Sequence, residues 1–155
     1  MEKKLSDMSL EELWKLFPIH LTEHQTDWRE WYAEEENLLK NRVSDIERIS
    51  HIGSTAISSI CAKPIIDILA EISREHKLSD YKEAIMNSGY ICMSETSDRI
   101  SFNKGYTENG FAERVYHLHL RYIGDNDEVY FRDYLIEHTD VALEYERMKL
   151  ELWKK

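Results

Sequence analysis

The sequence has few of the residues that break or crosslink a chain: 5 glycines, 2 prolines and 2 cysteines among 155 residues. Internal repeats and low-complexity linkers are also missing, so we expect one domain over residues 1–155, long enough to bury a core. Cys61 and Cys92 have no CxxC spacing, and the pattern gives no support for a disulfide. We expect two reduced thiols in a cytoplasmic protein.

Long apolar runs are missing as well. No stretch approaches the roughly 18 apolar residues that a membrane-spanning helix needs, and residues 1–9 lack the apolar centre of a signal peptide. Basic residues are outnumbered, with 20 Lys and Arg against 30 Asp and Glu and a formal net charge of -10. Because nucleic-acid phosphates are bound by basic surfaces, we expect no nucleic-acid partner. Because long apolar runs are missing, we expect no membrane partner. A small anion in a locally positive pocket remains compatible with this charge, and the sequence does not indicate the oligomeric state.

The N-terminal part of the chain has helical patterns. Ser9 and Glu12 form a capping box for a short helix that ends before Pro18, so residues 1–24 are predicted to be an N-terminal helical extension. A second helix is predicted to begin at Thr26 or Asp27. Its buried face is predicted to carry Trp28, Trp31, Tyr32, Leu38, Leu39 and Val43.

Strand and helix patterns alternate through the rest of the chain. Strands are predicted at 46–52, 65–72, 90–93, 99–104 and 114–122, with residues 105–110 as a hairpin loop. Helical segments are predicted at 55–62, 78–88, 129–138 and from Thr139 onward. The last of these is predicted to bury Val141, Leu143, Tyr145, Met148 and Leu152. This order indicates an α/β or α+β domain with a mixed sheet.

A Gly-Ser turn follows the first predicted strand, within residues 51–56. Gly53 permits a positive φ or a close backbone approach. If a helix opens here, the amides of Ser54, Thr55 and Ala56 form a site for an anion. Ordinary strand-to-helix turns use the same pair of residues, so the turn alone leaves both interpretations open.

Asp67 lies inside a β-branched strand that Pro64 introduces. Because burying a lone carboxylate is costly, we expect this acid to have either an ion-pair partner or a functional role. The interval from Ser54 leaves room for a helical turn and a return into the neighbouring strand, which would bring Asp67 near the Gly-Ser turn. Its structural alternative is an ion pair with Lys63, Arg99 or a histidine.

His117 and His119 form a second candidate group. Residues i and i+2 of a strand project to one face, so the two imidazoles are expected to point together. With His51 and Asp67 they would make a cluster suited to a transition metal or to proton transfer. Alternatively, the histidines contact phosphate or hold Asp67 by hydrogen bonds.

Three basic residues could supply positive charge for a phosphate: Arg99, Lys104 and Arg114. Solvated strand edges carry the same residue types, and this reading is preferred for Arg114. For Arg99 and Lys104 both interpretations stay open.

Six motifs carry a resemblance to a known family: His51-Ile-Gly-Ser-Thr-Ala56, Lys63-Pro-Ile-Ile-Asp-Ile68, Gly89-Tyr90, the strand with Arg99, Phe102 and Lys104-Gly105, His117-Leu-His119, and Phe131-Arg-Asp-Tyr-Leu135. Together they resemble the GrpB family, from about Asp27 to the C-terminus. The resemblance implies a nucleotidyltransferase-like fold. In that superfamily a Gly-Ser turn, an Asp-x-Asp or Asp-x-Glu strand and a third acid on an adjacent strand hold two magnesium ions against a nucleoside triphosphate.

Only part of that pattern matches here. Gly53 and Ser54 match the turn and Asp67 the first acid, whereas Leu69 stands at the second acid and His117 and His119 occupy the strand of the third. The predicted catalytic residues are Asp67, His51, His117 and His119, and the predicted metal ligands are Asp67, His117 and His119. Substrate binding is assigned to Gly53, Ser54, Thr55, Lys63, Arg99 and Lys104. The candidate cofactor is a divalent metal (Mg, Mn or Zn).

Three hypotheses follow for the function. The first is an enzyme of nucleotidyl-transfer type that lacks the usual second acid. The second is a non-catalytic module that binds a nucleotide or another phosphate ester. The third is an interaction protein with an inert site, whose acidic helices form the working surface.

Overall fold

The computed structural model of the protein describes residues 24–60, 62–107 and 110–154. Its helices and strands are, in chain order, α1 (Asp27–Arg42), β1 (Ile46–Ile52), β2 (Ile65–Ile72), α2 (Lys82–Asn87), β3 (Ile91–Glu95), β4 (Arg99–Thr107), β5 (Gly110–Tyr122), α3 (Asp127–Glu137) and α4 (Thr139–Lys154). Two short 3-10 turns lie at Ser54–Ala56 and Leu78–Tyr81. The capped helix predicted at Ser9 and the thiol of Cys61 lie outside the described residues.

The five strands form one mixed sheet in the order β1-β2-β5-β4-β3. β2 and β5 run parallel at its centre, and the other neighbouring pairs are antiparallel. A parallel pair needs a long crossover connection, which here contains α2, β3 and β4. The predicted α+β class with a mixed sheet flanked by helices is confirmed.

One face of the sheet, the core face, is apolar. It carries Ile66, Ile68 and Ala70 of β2 beside Leu118 and Leu120 of β5, all at most 1% exposed. Helices α1 and α2 cover this face and complete the main core with Trp28, Leu39, Val43 and Ile85. Burial of these strand and helix side chains against one another is the main hydrophobic contribution to folding.

The opposite face, the cleft face, carries the alternate residues of the same strands. On β2 these are Asp67, Leu69 and Glu71, and across the parallel pairing they stand opposite His117, His119 and Arg121. Helix α3 covers part of this face, where Val129 packs on Ile52 and Leu69. The remainder opens into a cleft.

Several predicted boundaries were wrong by a few residues. The segment 55–62 was predicted to be a short helix or a helical turn, and the 3-10 turn Ser54–Ala56 overlaps only its first two residues. The helix predicted at 78–88 is a 3-10 turn followed by α2. β4 and β5 continue into the predicted 105–110 loop, because their antiparallel pairing resumes after a register shift between Lys104 and Tyr106.

The buried side predicted for α4 was wrong at two positions. Leu143 is 49% exposed and Met148 is 52% exposed. The helix packs instead through Ala142, with Val141 and Tyr145 partly buried against Ile57, Ile60 and Leu135. No helix in the part of the chain that the structure describes has the length and apolarity to cross a membrane.

Candidate functional site

The Gly-Ser turn lies directly against Asp67. Gly53 has φ 76° and ψ -175°, a backbone conformation that only glycine adopts readily. A Cβ added at Gly53 would stand 2.5 Å from Asp67 Oδ2. The predicted need for glycine, both for conformation and for close approach, is therefore confirmed.

Thr55 stabilises the turn by contacting His51. Its Oγ1 lies 2.9 Å from His51 Nε2, and Thr55 is only 2% exposed. The ring of Tyr32 from α1 stacks on the His51 ring with centroids 4.8 Å apart. Burial lowers the pKa of His51 to about 4, so this imidazole is neutral at pH 7.

The structure does not bring His51 into the predicted cluster of three histidines and one acid. His51 pairs with Ile68 and therefore faces the core side of the sheet, whereas its neighbour Ile52 pairs with Asp67 on the cleft side. The side chain of His51 contacts Tyr32 and Thr55 instead. It supports the turn and does not line the cleft.

Asp67, His117 and His119 do lie together. Asp67 Oδ1 is 3.7 Å from His117 Nδ1 and 3.5 Å from His119 Nε2. The three side chains are each between 27% and 29% exposed, so solvent and ligands can reach them. Register explains the arrangement, because β2 and β5 pair in parallel with Asp67 opposite His117 and with His119 two residues further along the same face.

Tyr106 completes this group, and it was not among the residues predicted for the site. Its hydroxyl lies 2.7 Å from His117 Nε2, and its ring stacks on the imidazole. The register shift in β4 turns Tyr106 toward the cleft, although simple alternation from Asn103 would place it on the core face. A regular pattern therefore could not have found it.

The proton on His117 can be assigned from its neighbours. Burial lowers the pKa of His117, and the neutral ring has one N–H. A carboxylate faces Nδ1, which favours the proton on that atom and leaves Nε2 to accept a hydrogen bond from the Tyr106 hydroxyl. The arrangement Asp67–His117–Tyr106 is suited to moving or holding a proton.

The cationic side chains of the cleft differ from the predicted ones. Lys63 lines the cleft as predicted, together with Arg121 and Arg132. Arg121 is 7% exposed and donates to Glu128 Oε1 at 2.5 Å. Arg132 Nη1 donates to the His51 backbone carbonyl at 2.8 Å.

Arg99 and Lys104 are not at this site. Arg99 donates twice to the Asp125 carboxylate, at 2.9 and 3.0 Å. Lys104 lies on the core face, where its Nζ donates to Glu35 Oε2 at 2.8 Å. Arg121 was detectable, because it continues the i, i+2 alternation from His117 and His119.

The cleft has a volume of about 390 Å³. Its wall is formed by the 52–55 turn, by strand residues and by α3 and α4, and consists of Ile52, Gly53, Ser54, Thr55, Ile57, Lys63, Ile65, Asp67, His117, His119, Arg121, Glu128, Phe131, Arg132 and Tyr145. Phe131 and Tyr145 meet edge to face with ring centroids 5.4 Å apart. The cleft thus combines a glycine turn, two acids, two imidazoles, three cations and an aromatic rim.

The side chains present do not fit the two magnesium ions that the resemblance to nucleotidyltransferases implies. Leu69, at the position of the second acid, is fully buried against Val129 and Ile52. His119 stands opposite it in the register, so no carboxylate reaches that position from β5. Among the residues that the structure describes, no three His, Cys, Asp or Glu side chains form a group that could hold a metal ion. A Mg, Mn or Zn ion bound by Asp67, His117 and His119 stays a prediction.

Comparison with known sequences identifies relatives of this chain. The family model described as "GrpB protein" matches residues 18–155. The chain is 32% identical to the glutamate-rich protein GrpB of Alkalihalophilus pseudofirmus over 143 residues, which cover 88% of this chain and 82% of that protein. It is also 32% identical to the UPF0157 protein YqkA of Bacillus subtilis over 138 residues. That match covers 86% of this chain and only 39% of YqkA, so the chain spans well under half of that relative.

Solved structures similar to this one include those of a GrpB protein and of Cid1. A conserved protein GrpB from Enterococcus faecalis superimposes with a TM-score of 0.73 at 30% identity, covering 87% of this chain and 83% of the other. Cid1, solved in complex with the UTP analogue UMPNPP, superimposes with a TM-score of 0.54 at 13% identity, covering 77% of this chain and 37% of Cid1. The second likeness is one of fold alone.

Proposed function

The chain belongs to the GrpB family and has a nucleotidyltransferase-like fold, and from this premise we propose that its cleft binds a nucleotide or another phosphate ester. The bound phosphate would lie near the Gly-Ser turn, between Asp67 with the imidazole pair and the cations of the cleft. The neighbouring protein Cid1 was solved with a nucleotide analogue, which makes a nucleotide a reasonable first ligand to test.

The observation that carries this proposal is the contact between the Gly53 turn and Asp67. A side chain at Gly53 would collide with the Asp67 carboxylate, so the backbone of the turn and the reactive groups of β2 and β5 share one small space. Close backbone approach at a glycine turn is a common way to bind phosphate. Lys63 and Arg132 add positive charge to the same wall.

The imidazoles give the cleft the means for acid–base chemistry on a bound ester. The Tyr106 hydroxyl and the Asp67 carboxylate flank His117, and this pairing fixes which nitrogen of His117 accepts a proton. His119 offers a second nitrogen, with its Nε2 at 3.5 Å from Asp67 Oδ1. One group could take a proton from an attacking hydroxyl while the other gives one to a leaving oxygen.

Calorimetric titration of the purified chain tests the binding. We expect saturable binding of at least one of the four common ribonucleotides, and a rise in melting temperature with ligand concentration. Ser54→Ala should weaken binding by about five- to tenfold, the value of one hydrogen bond of about 1 kcal/mol. Ser58→Ala is the matched control, because Ser58 is exposed and does not line the cleft.

A non-catalytic binding module is the second candidate, and Leu69 favours it. A buried leucine at the second acid position removes a ligand for transfer chemistry that depends on two metals. Incubation with labelled nucleotides and either Mg²⁺, Mn²⁺ or Zn²⁺ separates the two candidates. Release of pyrophosphate or labelling of an acceptor supports an enzyme, and tight binding without turnover supports the module.

A further inference from the structure

We propose that the cleft recognises a phosphate group of low charge, as in a nucleoside monophosphate, and neutralises it with protein side chains without a metal ion. This inference deepens the proposed function and rests on it. It concerns which phosphate ligand is preferred and what compensates its charge.

The charge balance of the wall is the first argument. Three cationic side chains, Lys63, Arg121 and Arg132, line the cleft with two carboxylates, Asp67 and Glu128. These five charged side chains sum to one net positive charge, in a chain whose formal net charge is -10. A phosphomonoester carries about two negative charges at pH 7, as a phosphorylated side chain does, so this wall matches about half of its charge. A triphosphate would bring more negative charge than this wall can compensate.

The second argument is the fate of the metal-binding positions. Metal-assisted sites compensate a triphosphate with cations that several carboxylates hold. Here Leu69 is buried against Val129, and Glu128 Oε1 accepts a hydrogen bond from Arg121 Nη1 at 2.5 Å. Asp67 is the acid that remains beside the imidazoles, and both of them already contact its Oδ1 atom.

The size and rim of the cleft give the third argument. Its volume of about 390 Å³ lies near the lower end of the range of roughly 300–1,000 Å³ for small-molecule sites. The rim has the ring of Phe131, which is 49% exposed, in contact with Tyr145. An exposed ring next to a phosphate site can stack on a planar base. A ligand with one phosphate and one base fits these features.

Calorimetric titrations with the four ribonucleoside monophosphates and the four triphosphates test the inference, each in EDTA and in Mg²⁺. We expect the best monophosphate to bind at least tenfold more tightly than the matching triphosphate, with no loss of affinity in EDTA. Inorganic phosphate alone should bind more weakly than that monophosphate, and Phe131→Ala should weaken the nucleotide but leave phosphate unchanged.

Two charge variants sharpen the test. Asp67→Asn removes a negative charge beside the phosphate, so monophosphate affinity should rise by roughly threefold or more. A metal-bridging role for Asp67 predicts the opposite change. Lys63→Ala should weaken monophosphate binding about fivefold, whereas Lys77→Ala, an exposed lysine that does not line the cleft, should change nothing.

The outcomes separate this inference from the function on which it rests. If a triphosphate binds best, needs Mg²⁺ and loses affinity in Asp67→Asn, the inference is overturned and the proposed function stands. If none of the eight nucleotides binds at millimolar concentration, both are overturned.

Discussion

The two faces of the central sheet are built from the same strands and have opposite chemistry. On β2, Ile66 and Ile68 point to the core face and are fully buried, whereas Asp67 between them points to the cleft and is 29% exposed. The core face is covered by two helices, and the cleft face only in part by α3. Because successive strand residues alternate, stability and ligand chemistry are separated within a single strand.

Charged groups on the two faces also differ in their partners. On the core side, Glu35 of α1 accepts from the Tyr90 hydroxyl at 2.6 Å and from Lys104 Nζ at 2.8 Å. This buried acid is satisfied by protein groups and serves the docking of α1. Within the part of the chain that the structure describes, Asp67 has longer contacts, of 3.5 and 3.7 Å, with its two imidazoles. A polar group with looser protein contacts is the one available to a ligand.

The largest difference between the faces should appear in a pair of adjacent residues on β4. Phe102 is fully buried on the core face, so Phe102→Ala should lower the free energy of unfolding by about 3–5 kcal/mol. Asn103 faces the cleft opposite His117, and Asn103→Ala should cost less than about 1 kcal/mol. Urea denaturation measures both, and equal costs would contradict the separation of roles.

Acid titration tests how His51, which lies on the core face, affects stability. The pKa of His51 is about 4 in the folded chain, below its ordinary value of 6.5. Between pH 6.5 and about pH 4 the unfolded state therefore binds more protons than the folded state. The free energy of unfolding should therefore fall as the pH drops from about 6.5 to 4, by up to about 3 kcal/mol.

The control for this pH effect is His51→Gln, which removes the titrating group and can still bond to Thr55. Its stability should depend less on pH over the same window. Burial also lowers the pKa of His117, which contributes a change of the same sign, so some slope should persist. A slope identical to that of the unaltered chain would rule out His51 as the main source.

Two glycines test how closely the turn must approach the cleft face. Gly53→Ala combines a strained backbone with a collision against Asp67 Oδ2 and should cost about 2–3 kcal/mol. Gly124 also has a positive φ, of 97°, but a Cβ there meets no described atom within 4 Å, so Gly124→Ala should cost only about 1 kcal/mol. Thermal unfolding compares the two, and only Gly53→Ala should also lose ligand binding.

The smallest expected effect concerns one hydrogen bond in the cleft. The Tyr106 hydroxyl bonds to His117 Nε2 and thereby favours the neutral imidazole. Tyr106→Phe removes this hydroxyl. The pKa of His117 should rise by about 0.5 unit, the equivalent of a weak hydrogen bond of about 0.7 kcal/mol. NMR titration of the imidazole protons measures it. An unchanged pKa would show that the hydroxyl does not stabilise the neutral form.

Much of the fold was predictable because its signals are local. The β-branched strand 65–72, the strand 46–52 and the helix from Asp27 were placed within a residue or two. Gly53 was recognised because a positive φ is a property of the residue itself. Boundaries failed where pairing partners decide them, as in β4 and β5, whose ladder resumes after a register shift.

Several residues of the cleft were predictable from local patterns. His117 and His119 share a face by alternation, and Asp67 lies inside its own strand. Lys63 precedes that strand, and Gly53, Ser54 and Thr55 belong to the predicted turn. Arg132 was missed, because its position depends on how α3 crosses the sheet, and no local pattern specifies that crossing. Arg99 and Lys104 were placed in the site by charge alone, although their actual partners are Asp125 and Glu35.

The sequence by itself determined which residues alternate, where the backbone needs a glycine, and that two imidazoles share one face of a strand. Only the tertiary structure decided which face each strand presents to the cleft. The pairing of Ile52 with Asp67 sends His51 to the core face, and the shift after Lys104 brings Tyr106 to the cleft. The physical reason is that side chains alternate with a period of two, so a change of one residue in strand register exchanges the two faces.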